Sequence, residues 1–150
     1  MYASVAEIEF SPAAQLAGAL IKKPHRINPK RRIELPQFDK PADLDEAARH
    51  LRALRGKTHE LATSVSVLRD EVRLWHHNET PRLTARPFSD AFIADYLALV
   101  GPAALESVGA YQLEGPGAQL FSRVEGDFFS ILGLPLLPLM AFLREHGVLG

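Results

Sequence analysis

The chain is expected to fold as an α/β domain, a mixed sheet flanked by helices, because three stretches with apolar residues at helical spacing alternate with short extended runs between Asp39 and Gly147. Steps such as Gly101-Pro102 and Gly115-Pro116-Gly117 punctuate the pattern. At 150 residues the chain can bury one substantial core without metal or disulfide support. It has no cysteine, which excludes disulfides and thiolate chemistry. A formal charge of -1 provides no global field for nucleic acid or an anionic membrane, so recognition must come from local charge.

The opening MYASVAEIEF carries acids where a secretory leader has a basic region and an apolar run, which points to the cytoplasm. Ser11 and Pro12 are placed to start a short helix over 11–23, though its apolar pattern is weak. Lys22 to Arg32 is basic, proline-broken and aperiodic, and reads as a loop or solvated arm. Binding of nucleic acid would have to rest on this arm alone and is disfavoured.

From Asp39 the elements become legible. Asp43 followed by Glu46 has capping-box spacing, and Leu44, Ala47, Ala48, Leu51 and Leu54 make an amphipathic helix that stops at Gly56. Glu60 to Leu68 alternates and reads as a strand, with Val72–Trp75 and Arg82–Arg86 as further strands and Arg69-Asp70-Glu71 as the turn of a hairpin. Ser89 caps a second helix with Phe92, Ile93, Tyr96, Leu97 and Val100 inward, closed by Gly101-Pro102. Ala110–Leu113 and Gln119–Val124 read as short strands, and Leu136–Glu145 as a closing helix. The apolar run Ile131–Leu143 is too short to cross a bilayer and reads as buried.

Several side chains are candidates for chemistry. Lys40 stands before Pro41 at a helix entrance, where a cation can face a phosphate oxygen or simply remain in solvent. Lys57 is either a second phosphate contact or a surface residue. Thr58 and His59 open a strand, so they point in opposite directions, and His59 reads best as a buried hydrogen-bond partner. The six histidines have no metal-binding spacing, which argues against zinc. Glu114 precedes Gly115 and can offer a carboxylate to a base or ribose. Glu125 and Asp127 flank Gly126; they either hold a hydrated Mg²⁺ or serve structure, Asp127 as a helix cap and Glu125 paired with Arg123 or Arg86. Tyr111 lies either near the substrate or in the core. Gly133-Leu134-Pro135 reads as the exit into the closing helix.

Two ordered segments, FDKPADLDEAARHLRALRGKTHELATSV and GAYQLEGPGAQLF…EGDFFSILGLPL, resemble the Maf family of nucleoside triphosphate pyrophosphatases from Phe38 to the end. The resemblance implies a sheet of the Maf and inosine-triphosphatase type, with 38–150 as the Maf-like domain and 1–37 a divergent basic segment in which the usual amino-terminal part is missing or altered. It implies a divalent metal, Mg or Mn, and hydrolysis of a nucleoside triphosphate, in some members with a modified base, to a monophosphate and diphosphate. Lys40 matches the family's functional lysine, Thr58 and His59 its threonine-histidine step, and Glu114, with Gly115, a position tied to substrate choice. Lys40, Thr58, Glu114 and Gly115 are therefore the expected substrate contacts, Lys40 also catalytic, and Glu125 and Asp127 the expected metal ligands. A homodimer, or assembly with an intact paralogue, is a further expectation.

The departures lie in the first segment. Ser11-Pro12 is followed by Ala13-Ala14 where the resemblance expects arginines that receive phosphates, and Asn28 falls where it expects the catalytic aspartate. An amide has no titrating carboxylate and cannot serve as general base. The expectation is a pyrophosphatase-like protein of weak or lost activity, or else a non-catalytic nucleotide-binding or assembly module.

Overall fold

Asp43 fixes the start of the first helix, α1 (Leu44–Leu54), by accepting the Glu46 amide on Oδ1 at 2.7 Å. Glu46 Oε2 reaches back to the Ala42 amide at 2.8 Å, so two donors near the helix start are satisfied reciprocally. Ala47, Leu51 and Leu54 form the buried stripe, at the spacing the sequence predicts.

The computed structural model describes residues 39–150 in full and, before them, the backbone of two strands, β1 (Tyr2–Phe10) and β2 (Leu20–Lys22). They pair antiparallel with Ile8 opposite Ile21. The sequence reading assigns neither strand. For β1 the overlooked signal is the alternation of Ala6, Ile8 and Phe10 with Glu7 and Glu9. For β2 the helix expected over 11–23 is corrected at Leu20–Lys22, where backbone pairing overrides a weak apolar pattern. The rest of that helix, Asn28 and the remaining basic arm lie outside the described residues.

After α1 come β3 (Thr58–Arg69), β4 (Val72–Glu79), β5 (Arg82–Ala85), α2 (Asp90–Val100), 3-10 turns at Gly101–Leu105 and Pro116–Leu120, β6 (Phe121–Glu125), α3 (Phe128–Ile131) and α4 (Leu136–Glu145). The fold is α/β, with sheet strands flanked by helices, as expected. Among the described residues no helix is long and apolar enough to cross a membrane.

The chain forms two compact units. Among the described residues the first contains 39–60 and Arg82–Glu125. Its inner strand is β5, antiparallel to the start of β3 on one edge and to β6 on the other. Helix α2 starts at Ser89, whose Oγ accepts the Phe92 amide at 3.1 Å, and ends on Gly101 at φ 54. It packs on α1, and Asp90 Oδ1 accepts from Arg52 at 3.1 Å and from Arg55 at 3.2 Å. The hydrogen bond from Arg52 is the main reason that the Asp90 carboxyl is held below its ordinary range.

The second unit contains Leu61–Pro81 and Gly126–Gly150. Here β3 alternates, with Leu61, Thr63, Val65 and Val67 buried and the residues between them half-buried. Val65, Val67, Leu139 and Phe142 form the core, and Trp75 stacks on Phe142 with ring centroids 5.1 Å apart. Asp70 and Glu71, at φ 49 and 64, make the hairpin turn to β4 in the left-handed conformation that matches strand twist.

Two further expectations are corrected. Ala110–Leu113 is not a strand: Gly109 and Ala110 both have positive φ, 81 and 62, and the Gly115 amide donates to the Gln112 carbonyl at 3.2 Å, so the segment turns. Periodicity cannot register a left-handed backbone. Ile131–Leu143 is not buried all round, since it divides at Gly133 (φ 108) into α3 and α4 and leaves Leu132 and Leu137 exposed.

A left-handed conformation costs a non-glycine residue about 1–2 kcal/mol. Glu71→Gly is therefore expected to stabilise the chain by about 1 kcal/mol, read as a higher urea midpoint at unchanged slope. A lower midpoint would show that the Glu71 side chain outweighs the strain.

Candidate functional site

In the first unit the start of β3 is laid out by its pairing with β5. Thr58 stands opposite Thr84, His59 opposite Leu83, and Glu60 opposite Arg82. The threonine hydroxyls are 2.9 Å apart, which holds exposed Thr58 to the sheet through its side chain as well as its backbone. Glu60 Oε1 accepts from Arg82 Nε at 2.9 Å and from its terminal nitrogen at 2.7 Å, a fork on one oxygen. His59 points the other way, as the strand period requires. Its Nε2 is 2.7 Å from the Tyr111 hydroxyl, and its ring lies against Phe121, whose own ring meets Tyr111 edge-on at 4.7 Å. Burial holds the His59 imidazole down to about 4, so it is neutral across the physiological range.

Tyr111 begins the segment that carries Glu114. Just before it, the buried Tyr96 hydroxyl donates to the Ala110 carbonyl at 3.2 Å, and burial pushes that phenol up to about 12. After it, Gln112 accepts the Gly115 amide, and the 3-10 turn Pro116–Leu120 folds over Gln112. A Cβ on Gly117 would lie 2.4 Å from the Gln112 carbonyl oxygen, so this position requires glycine. Gly115 is not constrained in that way: its φ is −129 and a Cβ would meet the same oxygen at 3.9 Å. Glu114 is exposed at the apex of this braced turn. A recess lined by Tyr96, Val100, Ala104, Gln112 and Gly117 has about 10 Å³ for water-sized occupants, enough for roughly one water and not for a nucleotide.

Lys40 is exposed beside buried Pro41, three residues ahead of the α1 cap. Lys57 donates to the Ala53 carbonyl at 2.9 Å, closing the end of α1. Arg86 donates to the Gln119 carbonyl at 2.7 Å, and its guanidinium sits 5.2 Å from the Phe92 ring centre. Glu125 ends β6 exposed, its Oε1 2.9 Å from Arg123 two residues earlier on the same strand face.

Asp127 lies in the second unit as N-cap of α3, with Oδ2 accepting the Ser130 amide at 2.7 Å. The buried Ser130 hydroxyl is 3.0 Å from that oxygen and 2.6 Å from Glu79 Oε2, while the Ser130 carbonyl accepts from Thr63 at 2.8 Å. His77 approaches the other Glu79 oxygen at 3.0 Å. This network was not legible in the sequence; the available clue is Ser130 as the one polar residue in an apolar stretch. Among the described residues no three histidine, aspartate or glutamate side chains converge on one point. Asp127 Oδ2 is engaged by Ser130, and Glu125 Oε1 is paired with Arg123.

The sequence profile of the family described as Maf-like protein matches residues 30–146. Similar curated proteins include a nucleoside triphosphate pyrophosphatase of Hyphomonas neptunium, 57% identical over 112 residues, or 75% of this chain and 57% of that protein. The nucleoside triphosphate pyrophosphatase of Rhodospirillum rubrum is 60% identical over the same share of this chain and 55% of its own length. A 7-methyl-GTP pyrophosphatase of Rhizobium meliloti is 54% identical over 75% of this chain and 56% of its own length. The chain thus spans a little over half the length of the curated relatives it matches.

The His59 environment sets a pH dependence of stability. Because the folded pKa, about 4, lies below the ordinary 6.5, the unfolded chain takes up a proton that the folded chain refuses, so stability is fully present above pH 6.5 and declines as pH falls toward 4. At about 1.4 kcal/mol per pH unit the loss reaches at most about 3 kcal/mol. Urea unfolding at pH 7 and pH 4.5 should show wild type losing more stability than His59→Gln; equal losses would refute this assignment.

Proposed function

The chain belongs to the Maf family, and from that premise we propose that it binds nucleoside triphosphates in the manner of a nucleoside triphosphate pyrophosphatase, with weak or lost conversion to monophosphate and diphosphate. The reading rests on one observation: the family match over residues 30–146 spans the positions of Lys40-Pro41, Thr58-His59 and Glu114-Gly115, and curated relatives are 54–60% identical over 112 residues. In this reading 38–150 is the nucleotide-handling portion and 1–37 the divergent one. Lys40 meets triphosphate oxygens, Thr58 lies along the sheet edge beside the nucleotide, and Glu114 with the Gly115 backbone addresses the base or ribose. The name of the Rhizobium relative supports including a methylated guanine among the candidate bases.

Weak turnover follows from what the reaction demands. Attack on a phosphorus requires a positioned base or oriented water and a positive environment for the departing diphosphate. At Asn28 the sequence offers an amide, and after Pro12 it offers alanines. The same observation favours the second reading, a non-catalytic nucleotide-binding module that works alone, as a homodimer or with an intact paralogue in the cytoplasm. A Mg or Mn requirement, if it accompanies binding, fits a cation arriving with the triphosphate more readily than one held by Glu125 and Asp127.

Purified protein incubated with Mg²⁺ and a panel of nucleoside triphosphates, 7-methyl-GTP included, should bind nucleotide but release monophosphate and diphosphate at well below ~1 s⁻¹. Lys40→Ala should weaken triphosphate binding by about tenfold or more. Turnover at ~1 s⁻¹ or faster that disappears in Lys40→Ala would replace the weak-activity reading with a working enzyme. Failure of every nucleotide to bind would remove both readings.

A further inference from the structure

In the proposed site Thr58 lies beside the nucleotide and Glu114 addresses the base or ribose, and the two are 56 residues apart in sequence. In the first unit residues close to each are joined by a hydrogen bond: His59, next to Thr58, lies 2.7 Å from the hydroxyl of Tyr111, three residues before Glu114. From Tyr111 to Glu114 the backbone has little freedom. Tyr96 grips the Ala110 carbonyl at 3.2 Å, Ala110 is wholly buried with φ 62, Gln112 accepts the Gly115 amide at 3.2 Å, and Gly117 packs so tightly on Gln112 that no Cβ fits. A left-handed, buried alanine persists only where its surroundings overdetermine it, and such strain collects where geometry matters for function. The hydroxyl of Tyr111 thus ends a rigid bracket, with Glu114 at its outer corner.

We propose that the His59–Tyr111 couple is a positioning and specificity-determining element: it sets how the Glu114 turn is presented relative to Thr58 and thereby governs discrimination between nucleobases. The proposal rests on the reading that Glu114 addresses the base. The chemistry suits the task. Phe121 packs edge-on against Tyr111 at 4.7 Å and holds the ring in place, so the hydroxyl fixes the remaining rotation and reach of the segment. Because His59 stays neutral, the couple is an uncharged, half-buried hydrogen bond with one proton between two atoms, short and directional. Neither residue touches the triphosphate in this reading, so the couple affects the choice of base and not the binding of phosphate.

Tyr111→Phe removes the hydroxyl and keeps the packed ring. Binding of a purine and a pyrimidine nucleoside triphosphate, with inorganic tripolyphosphate as a base-free probe, should show the ratio of the two nucleotide affinities narrowing by about fivefold, the equivalent of one hydrogen bond, while tripolyphosphate affinity changes less than about twofold. His59→Gln should narrow the ratio similarly, and the double variant should add little to either single, as expected for one shared interaction. Amide exchange on the free protein provides a readout independent of any ligand. The Gly115 and Ala118 amides, bonded to Gln112 and Gly115, should exchange faster in Tyr111→Phe, while the Ala47 and Ile93 amides at the starts of α1 and α2 keep their protection. Unchanged selectivity in Tyr111→Phe would overturn the specificity role, and unchanged exchange would overturn the positioning itself. If wild type binds neither nucleotide nor tripolyphosphate, the functional reading falls and so does the specificity role; local acceleration of exchange would then leave the bracket standing as structure alone.

Discussion

Strand β5 must satisfy backbone hydrogen bonds on both of its edges, and in the first unit this requirement places Thr58, His59 and Glu60 on one side and β6 on the other. Leu83 at its centre is fully buried, so the strand has one permitted register: a slip by one residue would turn Leu83 to solvent and Arg82 or Thr84 inward. With Leu83 fixed, His59 must stand beside it on one edge and Val124 on the other. Thr58 then meets Thr84, and Arg82 lies between Glu60 and Glu125 in the ladder. Four residues of sheet thus convert a burial preference into the positions of polar groups on two neighbouring strands. The charged pairs on this surface follow from register and contribute little stability by themselves.

The same economy explains where buried polar groups appear. Thr63 faces the core side of β3, where a hydroxyl without a partner would cost about 1–3 kcal/mol, and it donates to the Ser130 carbonyl. Ser130 is itself buried, and Asp127 and Glu79 surround its hydroxyl, so two carboxylates serve to complete the short helix α3 in the second unit. Residue type alone makes Asp127 equally suited to a metal or a cap. In the folded chain its Oδ2 accepts the amide of Ser130, the third residue of α3, at 2.7 Å, which is the geometry of a cap.

The elements legible in the sequence are those that local physics determines. The Asp43 and Ser89 caps, the alternation of β3, the hairpin turn at Asp70-Glu71 and the glycine ends of α2 and α4 are each set by residues within a few positions of one another. What escapes is set by partners far away. Leu20–Lys22 pairs with β1 in place of forming helix, and Ala110 takes a conformation its own side chain disfavours because Tyr96, 14 residues earlier, holds its carbonyl. In the site, His59 was legible as a buried hydrogen-bond partner from strand parity, and Tyr111 as either core or site. That they bond to each other depends on a turn no periodicity encodes.

The distribution of strain and exposure bears on the division between recognition and bond cleavage. Lys40, Thr58 and Glu114 are exposed, and each stands on an inflexible support: a proline-led helix start, a two-threonine sheet contact, and a turn braced by two tyrosine hydroxyls. Fixed supports reduce the entropy lost when a ligand is held, which favours binding. Cleavage needs more, because a base must meet water at hydrogen-bond distance and positive charge must meet the leaving group only as it develops. In the first unit Glu60 is forked by Arg82, Glu125 is paired with Arg123 and Asp90 receives two guanidinium groups. Carboxylates with oxygens so occupied are poor candidates for moving a proton. Under the proposed nucleotide reading, affinity draws on these supports, whereas the carboxylates of Glu60, Glu125 and Asp90 are committed to arginines and supply no general base.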